Sequence, residues 1–106
     1  MLNSEVVLAQ RAAKEYGLSH QLSKTVEEAV ELADALCHYR GTSEGVAKIL
    51  KEMVDCSLMI DQLRVSLNIN DEEFFNLRKD MWDKLANLLD GSQEITRREE
   101  RQWCEH

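Results

Sequence analysis

Apolar residues recur along this chain every three or four positions, which is the spacing of one face of an α-helix. Val and Ile never alternate with polar residues over the four to eight positions that a half-buried strand needs. The pattern therefore predicts an all-α fold.

Glycines and polar capping residues divide the apolar pattern into four predicted helices. The first runs from Asn3 or Ser4, as a capping residue, to Tyr16, where Gly17 supplies a left-handed stop. The second begins near Ser19, and its apolar face comprises Leu22, Val26, Ala29, Ala33 and Leu36.

A short loop predicts that the next helix folds back antiparallel on the second. This loop spans Gly41 to Gly45, and the third helix spans about Val46–Leu67. An Asn-containing turn follows, and Asp71 then caps a fourth helix that ends at Gly91. These elements predict a four-helix antiparallel bundle-like subunit.

The third predicted helix is apolar over well over half of its circumference, which one neighbouring helix cannot bury. Its apolar residues are Val46, Ile49, Leu50, Met53, Val54, Cys56, Leu58, Met59, Ile60 and Leu63. The pattern favours completion of the bundle by a second subunit. The alternative is that the first and fourth helices cover this surface alone.

Length and charge narrow the class of protein. The 106 residues fit a single domain over 1–106, in which 92–106 forms a short helix or a frayed end. The net charge of -7, without a basic cluster, argues against a nucleic-acid polymer as partner.

No stretch is apolar for long enough to span a membrane, so we expect a cytoplasmic protein. Three cysteines without a Cys-x-x-Cys pair support neither a disulfide framework nor a zinc ribbon.

Two pairs of acidic residues stand out on the second and third helices. Glu28 with Glu31, and Glu52 with Asp55, each place two carboxylates one turn apart on one helical face. In a helical hairpin, two residues that are equidistant from the turn lie at the same height along the helix axes. All four carboxylates converge if the turn is centred between positions 41 and 42, close to the predicted loop.

Converging carboxylates suit one or two Mg²⁺ ions, or Mn²⁺, because both are hard cations that prefer oxygen ligands. Without a cation, mutual repulsion raises the pKa of at least one carboxylate. The alternative is that these residues belong to solvated helix faces. A ferritin-like di-iron site is disfavoured because it needs Glu-x-x-His pairs, which neither His20 nor His38 completes.

The acidic residues also resemble a family motif. Glu27-Glu28-Ala29-Val30-Glu31, followed after twenty residues by Glu52-Met53-Val54-Asp55, resembles the EExxE and ExxD signature of MazG-like all-α nucleotide pyrophosphohydrolases. The resemblance covers about residues 21–89. It implies Mg²⁺-dependent cleavage of a nucleoside triphosphate between the α- and β-phosphates, which gives a nucleoside monophosphate and pyrophosphate. It also implies a homodimer or a dimer of dimers.

By position, the resemblance implies metal ligands at Glu28, Glu31, Glu52 and Asp55, with Glu27 as an accessory acid in the catalytic set. Candidate substrate-binding residues are Lys24, one turn before Glu28, and Lys84, Trp82 and Gln21. Trp82 is the candidate for stacking on a base, and Gln21 the candidate for reading a base or sugar edge.

One position departs from the family pattern. Lys84 begins a Lys-x-x-Asn-Leu run where similar sequences carry Lys-x-x-Arg-Leu, so Asn87 puts a second phosphate contact in doubt.

The leading hypothesis is a house-cleaning or phage-type pyrophosphohydrolase that acts on an NTP or dNTP. Two alternatives stay open. One is a non-catalytic oligomeric helical module with an acidic ion-binding face, and the other is a phosphoribosyl-ATP pyrophosphohydrolase.

Overall fold

The computed structural model describes residues 1–91. The regular structure in this range consists of α1 (Asn3–Cys37), α2 (Ser43–Ser66) and α3 (Asp71–Asp90). The predicted all-α fold is confirmed. Within residues 1–91, none of the helices combines the length and apolarity that crossing a bilayer requires. The short or frayed helix predicted over 92–106 lies outside the described residues.

Helix α1 is bent at Gly17, where the sequence predicts a boundary between two helices. Gly17 has φ 82° and ψ 161°, a backbone conformation that is essentially open only to glycine. The helix resumes directly on the far side of Gly17, so the described range holds three helices where the pattern predicts four. The predicted cap is also wrong, because Leu2 takes the N-cap position and makes no side-chain hydrogen bond there.

The turn between α1 and α2 comes earlier than predicted. Helix α2 begins at Ser43, three residues before Val46, because the Thr42 hydroxyl accepts a hydrogen bond from the Gly45 backbone N–H at 3.0 Å and caps it. The loop therefore covers 38–42 and not Gly41 to Gly45.

A buried hydrogen bond fixes the register of the α1–α2 hairpin. The Gln21 amide Nε2 donates to Gln62 Oε1 at 2.9 Å, and Gln21 is only 1% exposed. The two residues are equidistant from a point between positions 41 and 42, which is the register that the sequence predicts. The acidic pairs of the two helices are thereby brought to the same height.

The α1–α2 interface buries small and polar side chains. The buried residues of these two helices are Ala9, Gln21, Glu28 and Ala35 of α1 and Glu52, Cys56, Met59 and Arg64 of α2. The apolar face predicted for the second helix, Leu22 to Leu36, is exposed instead. The hairpin therefore keeps Glu28 and Glu52 inside and many of its larger apolar side chains outside.

The chain divides into two compact units, and α3 belongs to the second, which starts at Asp71. Within α3, Phe74 and Phe75 make an edge-to-face ring contact at 5.3 Å, and the Arg78 guanidinium lies 5.9 Å from the Trp82 ring centre. These local contacts hold the aromatic side chains of α3.

The conformation of Gly17 predicts that Gly17→Ala destabilises the protein. A Cβ at this position would meet no atom within 4 Å, so the cost is that of the backbone conformation alone, about 1–3 kcal/mol. Urea unfolding would measure the loss. Ser19→Ala, at an exposed position two residues further along α1, is the control and should change stability by less than about 0.5 kcal/mol. A Gly17→Ala variant as stable as its parent would show that α1 can run straight through this position.

Candidate metal centre

Three acidic side chains meet across the α1–α2 hairpin. Glu28 and Glu31 lie one turn apart on α1, and Glu52 faces them from α2, so that one carboxylate oxygen of each lies within 4.8 Å of the others. We call this group the carboxylate cluster. It combines three of the four carboxylates that the sequence predicts to converge.

Two of these carboxylates are buried with an oxygen left unsatisfied. Glu28 is 9% exposed and Glu52 is 4% exposed. The Oε2 atom of each has no hydrogen-bond partner within the part of the chain that the structure describes. An unsatisfied buried polar atom costs roughly 1–3 kcal/mol, and more when it is charged. Each of these two oxygens is therefore available to a ligand of the cluster.

Lysines hold the other oxygen of each buried carboxylate. Lys24 Nζ lies 3.4 Å from Glu28 Oε1, and Lys48 Nζ lies 3.5 Å from Glu52 Oε1. In both pairs the lysine precedes the glutamate by four residues, which is the spacing of neighbours on a helix surface. Lys51 Nζ is a further 3.9 Å neighbour of Glu52 Oε1. Sequence reasoning found Lys24 but missed Lys48, although this same spacing could have revealed it.

Asp55, the fourth predicted ligand, pairs with a lysine outside the cluster. Lys51 Nζ donates to Asp55 Oδ2 at 2.8 Å, and this hydrogen bond, with the negative charges of Asp55 and Glu52, raises the pKa of Lys51. Asp55 lies one turn beyond Glu52 on α2. Its assignment as a metal ligand stays a prediction.

Repulsion inside the cluster changes the acidity of Glu31. The Glu28 carboxylate raises the pKa of Glu31 above its ordinary value, and desolvation and the charge of Glu52 act in the same direction. The prediction that crowding raises the pKa of at least one carboxylate is confirmed.

The cluster opens onto a cleft on one side of the hairpin. The cleft has a volume of about 500 Å³ and is lined by Val30, Glu31, Asp34, Lys48 and Glu52. A ligand that reaches the carboxylates from solvent would enter here, between acidic and basic side chains.

The remaining predicted site residues are not members of the carboxylate cluster. Glu27 is exposed on α1, where its charge contributes to raising the pKa of Lys24, after the hydrogen bond with Glu28. Gln21 is buried and its amide is used by Gln62. Trp82 and Lys84 belong to α3. The substrate-binding roles of these residues stay predictions.

The residues present fit a hard divalent cation. Carboxylate oxygens are the ligands that Mg²⁺ and Mn²⁺ prefer, and two of those in the cluster are buried and unsatisfied. Neither His nor Cys belongs to the group found in the described residues, so the donor set does not suggest zinc.

Comparison with known proteins adds no relative to this picture. No family model, no curated protein and no solved structure matches the chain. The assignment of the site therefore depends on its own geometry and chemistry.

The raised pKa of Glu31 predicts how the stability of the metal-free protein varies with pH. A carboxyl whose pKa is higher in the folded than in the unfolded state favours folding below its unfolded pKa, and this contribution is lost as pH rises through the folded pKa. Glu31→Gln has no carboxyl group at this position, so its stability does not fall in this way as pH rises. In EDTA, the melting temperature of Glu31→Gln relative to the parent should therefore increase from acidic to neutral pH.

Glu44→Gln, which removes an exposed carboxylate of α2 outside the cluster, is the control and should show no comparable gain. A difference between Glu31→Gln and its parent that stays constant across the pH series would contradict the repulsion in the cluster.

Proposed function

We propose that this chain is a Mg²⁺-dependent nucleoside triphosphate pyrophosphohydrolase that converts an NTP or dNTP into the monophosphate and pyrophosphate. The observation that carries the proposal is the carboxylate cluster, with its two buried and unsatisfied oxygens. The EExxE and ExxD resemblance supplies the reaction class. In this proposal the protein is a cytoplasmic house-cleaning enzyme.

Glu28, Glu31 and Glu52 would hold the metal, and Asp55 would join them if Lys51 released it. Bound Mg²⁺ supplies compensation for the triphosphate charge and lowers the pKa of a water molecule. A carboxylate of the cluster that is not fully used as a ligand accepts the proton that water loses when it adds across the α,β-anhydride. The donor set thus serves both binding and proton transfer.

Basic side chains at the cluster favour a phosphorylated substrate. Lys48 lines the cleft beside Glu52, and Lys24 lies beside Glu28. Their exposed amino groups lie within reach of phosphate oxygens that approach the cluster. With a net charge of -7, the chain otherwise repels a polyphosphate, so lysines and metal are both needed at this site.

The proposal includes a homodimer or a dimer of dimers as the working assembly. Its support is the apolar surface of α2, where Val46, Leu50 and Met53 are each more than half exposed.

A second candidate function is favoured by the lysine pairs. Lys24, Lys48 and Lys51 each lie within 4 Å of an acidic side chain at the cluster or beside it. Such pairs compensate part of the acidic charge without a metal ion. The chain would then be a non-catalytic helical module whose acidic face binds ions or a basic partner.

Product analysis separates these two functions. We expect the purified protein with Mg²⁺ to release pyrophosphate and a nucleoside monophosphate from at least one member of a panel of NTPs, dNTPs and phosphoribosyl-ATP. EDTA should abolish the release. Glu52→Gln, which removes a buried carboxylate charge, should reduce turnover by at least about a hundredfold, as loss of a metal ligand does. Orthophosphate as the sole product, or no product from any substrate, would exclude the proposed reaction.

Melting curves test Asp55 as a metal ligand. Mg²⁺ at ten times its dissociation constant should stabilise the parent by about 1.4 kcal/mol, because only the folded state binds it. Asp55→Asn should lose most of this gain and abolish turnover. Without metal, the variant should lie within about 0.5 kcal/mol of the parent, since an exposed ion pair with Lys51 contributes little.

Asp83→Asn is the matched control, because it removes an equivalent pair, Lys79 Nζ to Asp83 Oδ2 at 2.9 Å, from α3. This control should keep the full Mg²⁺ shift. An equal shift in Asp55→Asn would mean that Asp55 is not a ligand.

A further inference from the structure

A buried hydrogen bond joins α1 and α2 on the side of the carboxylate cluster that lies away from the loop. Gln21 precedes Glu28 by two turns, or about 10 Å along α1, and its Nε2 donates to Gln62 Oε1 of α2 at 2.9 Å. The loop 38–42 joins the same two helices on the other side of the cluster. The cluster therefore lies between two connections of the hairpin.

Repulsion between like charges opposes the close approach of the two helices at the cluster. Glu28 and Glu31 of α1 each place a carboxylate oxygen within 4.8 Å of one from Glu52 of α2. The Glu28 carboxylate raises the pKa of Glu31, and desolvation and the charge of Glu52 add to the effect. Without a cation, this repulsion falls if α1 and α2 move apart, so contacts elsewhere have to hold them together.

The lysine pairs at the cluster do not join the two helices. Lys24 pairs with Glu28 within α1, and Lys48 pairs with Glu52 within α2. Each pair compensates charge on its own helix and leaves the separation of the helices unconstrained. The hydrogen bond from Gln21 to Gln62 crosses from one helix to the other.

Gln21 lies on the same face of α1 as the buried carboxylate. Gln21, Glu28 and Ala35 recur every seven residues and are all buried. Residues seven apart in a helix differ by only about 20° in direction, so one face of α1 carries all three. The two turns between Gln21 and Glu28 are continuous helix. The separation of α1 and α2 at Gln21 therefore limits their separation at Glu28.

The chemistry of an amide pair suits a contact beside an acidic site. Gln21 is only 1% exposed, so its amide loses Gln62 as a partner without gaining water unless the helices separate. Both side chains are neutral, so the contact adds no charge to the site. A polar contact within a helix interface also fixes how the two helices align, which apolar contacts do less well.

We propose that Gln21 and Gln62 are positioning residues of the carboxylate cluster. Their hydrogen bond holds α1 and α2 together on one side of the cluster while the loop holds them on the other, so the three carboxylates stay within reach of one divalent cation. Like charges are then brought together during folding, and a cation binds more tightly because it does not have to close the hairpin. The inference rests on the metal binding of the proposed function, and it gives Gln21 a role other than reading a base or sugar edge.

Calorimetric titration of the full chain with Mg²⁺, without nucleotide, tests this role. Gln62→Leu removes the acceptor at a half-buried position and should weaken Mg²⁺ binding about two- to tenfold, the range set by the loss of one neutral hydrogen bond. Gln62→Glu keeps an acceptor oxygen at the same reach and should bind Mg²⁺ at least as tightly as the parent. Gln10→Leu makes the same change at an exposed position of α1 and should leave binding unchanged.

A second variant keeps the test decisive if Gln62→Leu does not fold. Gln62→Asn keeps the amide but is shorter by one methylene group, so its oxygen no longer reaches Gln21 Nε2. Water can reach this half-buried side chain, so we expect the variant to fold and to weaken Mg²⁺ binding as Gln62→Leu does. Each titration is made well below the melting temperature in EDTA, where a loss of stability alone leaves the affinity of the folded protein unchanged.

The outcomes separate this inference from the proposed reaction. Mg²⁺ binding at parent strength by Gln62→Leu and Gln62→Asn would overturn the inference, and so would a Gln62→Glu variant that binds as weakly as they are expected to. A parent that binds Mg²⁺ without releasing pyrophosphate, with weakened binding in Gln62→Leu, would support the inference and exclude the reaction. A parent that binds no Mg²⁺ would overturn both.

Discussion

The burial of Glu28 and Glu52 between α1 and α2 is the constraint on which the rest of the hairpin depends. A charge removed from water costs several kcal/mol unless other charges or hydrogen bonds compensate it. Lys24 and Lys48 compensate one oxygen of each carboxylate from the adjacent turn of the same helix. The acids also occupy positions that apolar side chains would fill in an ordinary helical hairpin. The larger apolar residues consequently lie on the outside of the hairpin. Burial of the acidic side chains therefore accounts for both the candidate metal site and the exposed apolar surface.

Much of the fold could be predicted because its signals are local. Helical periodicity predicted the all-α class, and Gly17 was identified as a break from its residue type alone. Helix α2 starts three residues before its predicted boundary because the Thr42 hydroxyl caps the first turn. The side of α1 that faces α2 was less predictable. The strongest apolar stripe is exposed, since Glu28 and Gln21 occupy the inner side.

The site was predictable where it depends on helix geometry and less so where it depends on competition between partners. The spacing of Glu28 and Glu31, and the register with Glu52, follow from residue numbers once a hairpin is assumed. The partner of Asp55 does not, because Asp55 lies one turn from both Glu52 and Lys51 on α2, and residue spacing alone does not decide that it pairs with Lys51. The raised pKa of Glu31 followed from crowding of like charges. Binding of a base or sugar involves long-range geometry, which spacing along one chain does not encode.

Because Gly17 is not helical, the side chains before it and those after it do not follow one continuous helical rotation. In an uninterrupted helix, inserting one residue rotates everything beyond it by about 100° relative to the preceding segment. Between Gln21 and Glu28 such an insertion would turn the carboxylates relative to the Gln21–Gln62 contact, or break that contact. An insertion before Gly17 leaves the spacing from Gln21 to Glu31 unchanged and shifts only residues of the segment 3–16, which include the buried Ala9. The position of the carboxylates therefore depends on the spacing from Gln21 to Glu31, and not on the length of the segment 3–16.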